Sequence, residues 1–128
     1  MIVVDANVIA YLLIPGTQTQ RAEALLAADP QWVCPRLWRS EIRNILATYV
    51  RTGQMVLVDS IALFQRAELL IGSHEYEPET HEVLRLSAQS GCSAYDCEYV
   101  ALARYLGLTL VTADAKLRRA FPTETVAL

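Results

Sequence analysis

The first seven residues constrain the fold most strongly, because they form a short apolar run that stops on a carboxylate. Three β-branched residues precede Asp5 with no polar residue between them, which is typical of a strand covered on both faces in a parallel α/β sheet. Ligands of open parallel sheets bind beyond the carboxyl ends of the strands. Asp5 lies at that edge, and Asn7 follows two residues later. The opening therefore predicts a buried strand that delivers polar groups to a binding edge.

The rest of the chain alternates short apolar runs with longer helical patterns. Glycines and capping residues predict helices at 8–13, 20–28, 36–52, 60–71, 79–90, 93–106 and after 114, and strands at 31–34, 74–77, 108–112 and 123–128. Pro35 is expected to stop the second strand, and Asp59 or Ser60 to cap the fourth helix. Residues 55–58 fit either a strand or an apolar lead-in to that helix. The alternation indicates an α/β fold with a mostly parallel sheet between two layers of helices.

Length and composition indicate one domain covering residues 1–128. Hydrophobic residues make up 53% of the chain, which argues against disorder. No apolar run approaches the ~20 residues that a membrane span needs, and the N-terminus lacks the pattern of a signal peptide. Cys34, Cys92 and Cys97 cannot pair completely and lack zinc-site spacing. The expectation is a cytoplasmic protein with reduced thiols.

The charge balance leaves the class of partner open. A formal net charge of −3 gives no general signal for polyanion binding. Ten of the eleven basic residues are arginine, which suits bidentate phosphate contacts but is also common in GC-rich genomes. Arg36, Arg39 and Arg43 are expected to form a solvated helix face. Arg118 and Arg119 lie just after a candidate site residue and are better candidates for phosphate contacts.

Two carboxylates follow buried strands. Asp5 ends the first strand, and Asp114 follows the strand at 108–112 in the same way. Each also suits the N-cap of the next helix, because an aspartate there accepts backbone N–H bonds. Asn7 fits either a cap or a group that orients Asp5. The repetition of a strand-end acid in one small sheet favours a site over two unrelated caps.

Two further acids lie toward the apolar sides of predicted helices. At about 100° per residue, Glu41 shares a row with Leu37 and Ile45, where an unpaired buried charge would be costly. The alternative for Glu41 is an ion pair with an arginine from another element. Asp96 follows Ser93 at the spacing of a capping-box variant and also points toward the apolar side. Capping and a site role are compatible there, because helix N-termini lie along the ligand edge of such a sheet.

Asp5, Glu41, Asp96 and Asp114 together would form a cluster of like charges. Such a cluster is unfavourable unless a proton or a cation lies among the carboxylates. All-oxygen ligands suit Mg²⁺ or Mn²⁺, which bind substrate phosphates and activate water for attack at phosphorus. In the sequence, only the predicted topology brings the four acids together. The sequence therefore predicts a divalent-metal site for phosphate chemistry at the carboxyl edge of the sheet.

Four stretches of the chain resemble the PIN-domain family, and most closely its VapC-type toxin branch. They are residues 2–7 (IVVDAN), 40–44 (SEIRN), 93–103 (SAYDCEYVALA) and 111–117 (VTADAKL), in the family's order and over almost the whole chain. Their combination is specific, whereas each stretch alone is weak. The resemblance implies a PIN-like three-layer α/β/α fold with a five-stranded sheet. It also implies a metal-dependent endoribonuclease.

The same resemblance implies residue roles and partners. The family's acidic metal-site and catalytic residues correspond to Asp5, Glu41, Asp96 and Asp114, with Mg²⁺ or Mn²⁺ as the cofactor. Its supporting polar residues correspond to Asn7 and Thr112. RNA is the implied substrate, in a toxin–antitoxin pair. A small VapB-type antitoxin and a second copy of the chain are the implied protein partners, with no membrane involved.

The departures from the family pattern do not involve the four acids, and each competing interpretation fits the sequence less well. Cys97 and Glu98 stand where the family more often has small or apolar residues, and Glu98 is expected to face solvent. A non-catalytic PIN-like module that binds RNA or protein would be expected to lose at least one acid. A phosphotransferase of the haloacid-dehalogenase type needs a second aspartate two residues after Asp5, where this chain has Asn7. A receiver domain distributes its acid pair and phosphoacceptor over different strand ends.

Overall fold

The computed structural model describes residues 1–128 as a five-stranded sheet between helices. The strands are Ile2–Val4 (β1), Trp32–Pro35 (β2), Glu75–Tyr76 (β3), Leu110–Thr112 (β4) and Thr125–Ala127 (β5). The helices are Ala6–Leu13 (α1), Thr19–Ala28 (α2), Trp38–Arg51 (α3), Leu57–Ile71 (α4), Thr80–Ser90 (α5), Ala94–Leu106 (α6) and Ala115–Ala120 (α7). The strand order is β3-β2-β1-β4-β5, and every neighbouring pair is parallel. The predicted α/β fold is confirmed, with a sheet that is wholly rather than mostly parallel. None of the helices combines the length and apolar character that crossing a membrane requires.

Strand β1 is the centre of the molecule because its side chains enter both hydrophobic cores. Successive side chains of a strand point to opposite faces of the sheet. Val3 packs into the core formed with α5, α6 and α7, and Val4 packs into the core formed with α1, α3 and α4. Both valines are fully buried. Burial on both faces explains why the sequence of this strand shows no polar alternation.

The ends of β1 and β4 meet where the strand order reverses. The chain leaves β1 on one side for β2 and β3, and it adds β4 and β5 on the other side. The crevice beyond β1 is therefore a topological switch point, where open parallel sheets bind ligands. Val4 pairs with Val111. Asp5 and Thr112, the next residues on the two chains, consequently lie side by side at this edge.

β2 ends at Pro35, as predicted, but it includes the proline as its last residue rather than ending at Cys34. The flanking residues Cys34 and Arg36 donate their backbone N–H groups to the carbonyls of His74 and Tyr76 at 3.1 and 3.0 Å. In a parallel ladder, alternate residues bond toward the same neighbour. The missing N–H of proline therefore falls where β3 needs no donor, and Pro35 can be the last residue of the strand.

Helix α4 begins earlier than the predicted cap at Asp59 or Ser60. Val56 is the extended residue before the helix and has no capping side chain, while the Ser60 hydroxyl donates to the Leu57 carbonyl at 2.6 Å. Residues 55–58 are thus a lead-in and first turn rather than a strand. Val56, Leu57 and Val58 are 60%, 64% and 70% exposed. These apolar side chains lie on the protein surface and not in the core. The apolar pattern of the sequence therefore could not distinguish a strand from a lead-in to the helix.

Candidate active site

Asp5 caps α1 and keeps a buried carboxylate at the switch point. Its Oδ1 accepts the backbone N–H of Val8 at 3.1 Å, and its Oδ2 accepts the hydroxyl of Thr112. Only 7% of the residue is exposed. Burial raises the pKa of Asp5, the hydrogen bonds from Thr112 and the backbone oppose that rise, and the charge of Asp96 adds to it. The N-cap interpretation is correct, and the capping carboxylate also has a raised pKa.

Thr112 joins the ends of β1 and β4 through a buried hydroxyl. The hydroxyl donates to Asp5 and accepts the backbone N–H of Asp114 at 3.0 Å. Asp114 caps α7, because its Oδ1 accepts the N–H groups of Lys116 and Leu117 at 2.8 and 3.1 Å. One threonine hydroxyl therefore links the two strand-end acids that the sequence singled out.

Asp96 comes to the same edge from the first turn of α6. The Ser93 hydroxyl caps this helix by accepting the Asp96 backbone N–H at 3.1 Å. Burial and then the charge of Asp114 raise the pKa of Asp96, while the Ser93 hydroxyl and the charge of Lys116 lower it. The charge of Asp96 in turn raises the pKa of Asp5. Asp96 is therefore coupled electrostatically to both strand-end acids.

Glu41 reaches the edge from the first turn of α3, where it is partly buried. The Tyr99 hydroxyl on α6 donates to Glu41 Oε1 at 2.6 Å. Burial raises the pKa of Glu41, the Tyr99 hydrogen bond opposes it, and the charges of Asp5, Asp96 and Glu98 add to the rise. No arginine forms an ion pair with Glu41. The ion-pair alternative is therefore wrong.

The carboxylates of this edge come from the residue after β1, from α3, from α6 and from the turn after β4. Their charges act on one another's pKa values, yet no three acidic, histidine or cysteine side chains form a preassembled metal cluster. Like charges hold carboxylates apart, and a cation among them offsets that repulsion. The set offers only oxygen ligands, and Mg²⁺ keeps several waters beside one or two carboxylates. The donor chemistry of the edge therefore fits Mg²⁺ or Mn²⁺.

Two polar residues near the edge differ from expectation. The Asn7 side chain is exposed, and it is the backbone N–H of Asn7 that acts on the Asp5 carboxylate. Glu98, expected to be exposed to solvent, is only partly exposed. Burial raises the pKa of Glu98 and the charge of Glu77 adds to this rise, because the segment after β3 lies beside α6. The charge of Glu98 also reaches Glu41.

Two tertiary partnerships were not predicted from the sequence. Arg39, expected on a solvated face, donates to Glu75 through Nε and to Glu68 through Nη1, both at 2.9 Å. These bonds tie α3 to β3 and α4. The hydrogen bond from Tyr99 to Glu41 was also missed, although Tyr99 lies one helical turn after the predicted acid of α6. That spacing was the available signal.

Replacing Thr112 with valine is expected to lower the free energy of unfolding by about 1–3 kcal/mol, because the Asp5 carboxylate loses a donor and the Asp114 N–H loses an acceptor in a buried place. Urea unfolding monitored by circular dichroism measures the change. Thr109→Val, at an exposed threonine before β4, is the matched control and should be nearly neutral. Equal stabilities of the two variants would show that the Thr112 hydroxyl does not hold this edge together.

The parallel fold and the carboxylates at the carboxyl ends of its strands together indicate a class of protein. A parallel α/β sheet presents charge-coupled carboxylates at its switch point and offers only oxygen ligands. That combination is expected of a domain that binds a divalent cation together with a phosphate-containing ligand.

Comparison with known proteins identifies the family. The PIN domain family matches residues 2–121, so the chain belongs to the PIN-domain family. It is 28% identical over 127 residues to ribonuclease VapC3 of Pyrobaculum aerophilum, covering 94% of this chain and 95% of the relative. The crystal structure of PAE2754 from the same organism has a TM-score of 0.74 at 24% identity, covering 98% of this chain and 88% of that one. A toxin–antitoxin complex from Klebsiella pneumoniae has a TM-score of 0.68 at 17% identity, covering 98% and 96%. These two structures share the fold with this chain.

Proposed function

We propose that this chain is a single-domain VapC-type toxin, an endoribonuclease that hydrolyses RNA phosphodiester bonds with Mg²⁺ or Mn²⁺ at its acidic edge. The observation that carries the proposal is the electrostatic coupling of carboxylates from separate elements at the switch point. Such a cluster is unfavourable without a cation. The ribonuclease name of the P. aerophilum relative and the toxin–antitoxin complex of K. pneumoniae support the same function.

Asp5 and Asp96 would hold the ion, with Asp114 beside them. When bound, a divalent ion supplies charge that offsets the scissile phosphate and lowers the pKa of water. Thr112 orients the Asp5 carboxylate through its hydroxyl, and the Val8 N–H holds the other oxygen. These bonds restrict the rotation of a buried ligand, so little ordering remains to be done when an ion binds.

Glu41 is suited to accept the proton of the attacking water. Burial and neighbouring acids raise the pKa of Glu41 above its ordinary value, which makes it a stronger proton acceptor than an exposed carboxylate. Tyr99 engages Oε1, so Oε2 remains available for a proton. In hydrolysis the water oxygen forms a bond to phosphorus and passes a proton to Glu41, the bond to the leaving oxygen breaks, and that oxygen takes up a proton. A role for Glu41 as a further ion ligand uses the same free oxygen.

The proposal includes a small antitoxin that binds an apolar surface formed by α3 and α4. This α3–α4 patch contains four residues at the start of α4 that are 51–70% exposed, Val56, Leu57, Val58 and Ile61, and the neighbouring apolar residues Ala47 and Val50 of α3. A groove of about 500 Å³ adjoins it, and Arg43 and Arg51 are among the groove's lining residues. Exposed apolar clusters beside polar residues mark protein-interaction sites. The arginines favour an acidic amphipathic segment of the antitoxin as the occupant. A homodimer and a cytoplasmic location complete the proposal.

Replacing Ile61 with glutamate is expected to weaken antitoxin binding at least about tenfold, because it puts a charge into the apolar centre of the α3–α4 patch. Co-expression with the product of a small adjacent reading frame, followed by calorimetry, measures the loss. Leu84→Glu on α5 is the matched control, since Leu84 is similarly exposed outside the patch. Equal affinity of the two variants would place the antitoxin elsewhere.

Incubation of a mixed cellular RNA pool with purified protein tests the proposed activity. Discrete products are expected with Mg²⁺ or Mn²⁺ and none with EDTA, because the reaction depends on the ion at the acidic edge. Asp96→Asn, purified identically, excludes a contaminating nuclease and should give no products. Metal-independent cleavage, or equal cleavage by the variant, would contradict the proposal. The absence of products from both proteins would leave either a narrow substrate missing from the pool or a binding module. Calorimetric titration with Mn²⁺ would separate the two, because a four-acid site should still bind the ion.

A further inference from the structure

Tyr99 is a buried tyrosine whose ring packs in the core and whose hydroxyl bonds to Glu41, one of the acids at the carboxyl ends of the strands. Its ring belongs to the hydrophobic core of α5, α6 and β1, and the residue is 2% exposed. The hydroxyl donates to Glu41 Oε1 at 2.6 Å, across a sequence separation of 58 residues. A buried hydroxyl of this kind usually finds a partner, and a carboxylate partner gives a short, strong hydrogen bond.

This hydrogen bond is the one side-chain contact that orients the Glu41 carboxylate. No ion pair reaches Glu41, and no second donor bonds to either of its oxygens. Burial and the charge of Glu41 raise the pKa of Tyr99 far above its ordinary value, so the hydroxyl keeps its proton and remains a donor. Without that donor, a partly buried carboxylate would lose its single fixed orientation.

We propose that Tyr99 is a positioning residue that holds Glu41 through Oε1 and leaves Oε2 as the oxygen Glu41 presents to the reaction. This inference rests on the proposed function. Asp96 and Tyr99 are three residues apart on α6, so they share one side of the helix. A single helix thus supplies one acid of the edge and the donor that positions another. Any shift of α6 would move both together and preserve their relative placement.

Tyr99→Phe separates positioning from packing, because it removes the hydroxyl and keeps the ring in the core. The experiment compares wild type, Tyr99→Phe, Glu41→Gln and the double variant. Tyr95→Phe is the matched control, since Tyr95 is an exposed tyrosine on the same helix. The measurements are Mn²⁺ affinity by calorimetry, kcat and KM for RNA cleavage, and a metal-free crystal structure of Tyr99→Phe.

The expected results follow from action through Glu41. Tyr99→Phe should lower kcat about tenfold with little change in KM, the size typical of losing a hydrogen bond to a metal-site side chain. Mn²⁺ affinity should fall less than kcat, because Asp5 and Asp96 hold the ion, and Glu41 should leave its wild-type conformation in the crystal. In the Glu41→Gln background, Tyr99→Phe should cause no further loss. Tyr95→Phe should match wild type throughout.

Two outcomes would overturn the inference. One is a Tyr99→Phe protein with wild-type Mn²⁺ affinity, kcat and Glu41 conformation. The other is an equal loss from Tyr99→Phe in the Glu41→Gln background, which would show that Tyr99 does not act through Glu41. If wild type neither binds Mn²⁺ nor cleaves RNA, the proposed function fails separately. The conformation of Glu41 in the Tyr99→Phe crystal still decides the positioning role in that case.

Discussion

Asp5→Asn is expected to reduce RNA cleavage at least about a hundredfold, because loss of a direct ion ligand should exceed the effect typical of its hydrogen-bonding partners. Asparagine keeps the shape of the side chain and is an equally good N-cap. Its amide oxygen can still accept the Val8 N–H that caps α1. The variant therefore removes the charge at the switch point while keeping the local fold. Initial cleavage rates at saturating Mn²⁺, with circular dichroism as a check on folding, measure the effect.

Asp59→Asn provides the matched control for this prediction. Asp59 is an exposed aspartate in the first turn of α4, outside the acidic edge. The control should cleave RNA at the wild-type rate. Wild-type cleavage by Asp5→Asn would remove Asp5 from the site, and an equal loss in both variants would point to a general effect of charge on RNA binding.

The same substitution is expected to stabilise the metal-free protein increasingly as the pH rises. Burial raises the pKa values of Asp5, Glu41 and Asp96 above their ordinary values of about 4. Between the ordinary and the raised pKa, the folded protein binds more protons than the unfolded chain, so these acids make stability fall with rising pH. Asp5→Asn removes one such contribution. Its advantage over wild type should be absent below pH 4, should grow as the pH rises through the raised pKa of Asp5, and should be complete above it.

The quantity to measure is the difference in free energy of unfolding between wild type and Asp5→Asn, because other acids make stability rise with pH. Hydrogen bonds and ion pairs lower the pKa values of Asp29, Glu75 and Glu82, and the stability that these groups contribute is lost as the pH falls. They contribute equally to wild type and Asp5→Asn and cancel in the difference. Urea unfolding with EDTA from pH 4 to 8 measures it. A difference that stays constant over this range would mean that Asp5 carries no raised pKa.

At neutral pH, Mn²⁺ should make wild type more stable than Asp5→Asn, the reverse of the order expected without the ion. An ion that binds only the folded state adds about 2.7 kcal/mol at a concentration one hundred times its Kd. Wild type should therefore gain stability from Mn²⁺, and Asp5→Asn should gain much less. Unfolding of both proteins at pH 7 with and without the ion gives the comparison directly.

The strand-end acids could be predicted because their positions depend on local sequence. Asp5 and Asp114 each follow a strand buried on both faces, and each caps the next helix. A parallel sheet brings such residues to one edge whatever the detailed packing. Thr112 entered through the family resemblance, and the structure gives its reason, a hydroxyl that bonds to both chain segments.

Contacts between distant elements could not be predicted in the same way. The helical row of Glu41 showed that it points toward the apolar side, but Tyr99 lies 58 residues away and its hydroxyl reaches Glu41 only after α3 and α6 pack. Arg39 likewise finds Glu75 on β3, 36 residues away. The start of α4 was missed for a different reason. Val56 caps it without a side-chain bond, and apolar residues at its first turn face outward.

Diffraction from crystals soaked in Mn²⁺, recorded for anomalous scattering, tests the central claim most directly. The claim is that carboxylates from separate elements form one divalent-metal site at the switch point of the sheet. It predicts a manganese peak bound by the carboxylates of Asp5 and Asp96, and no peak there in Asp96→Asn crystals. A peak bound elsewhere, or the same peak in the variant, would contradict the claim.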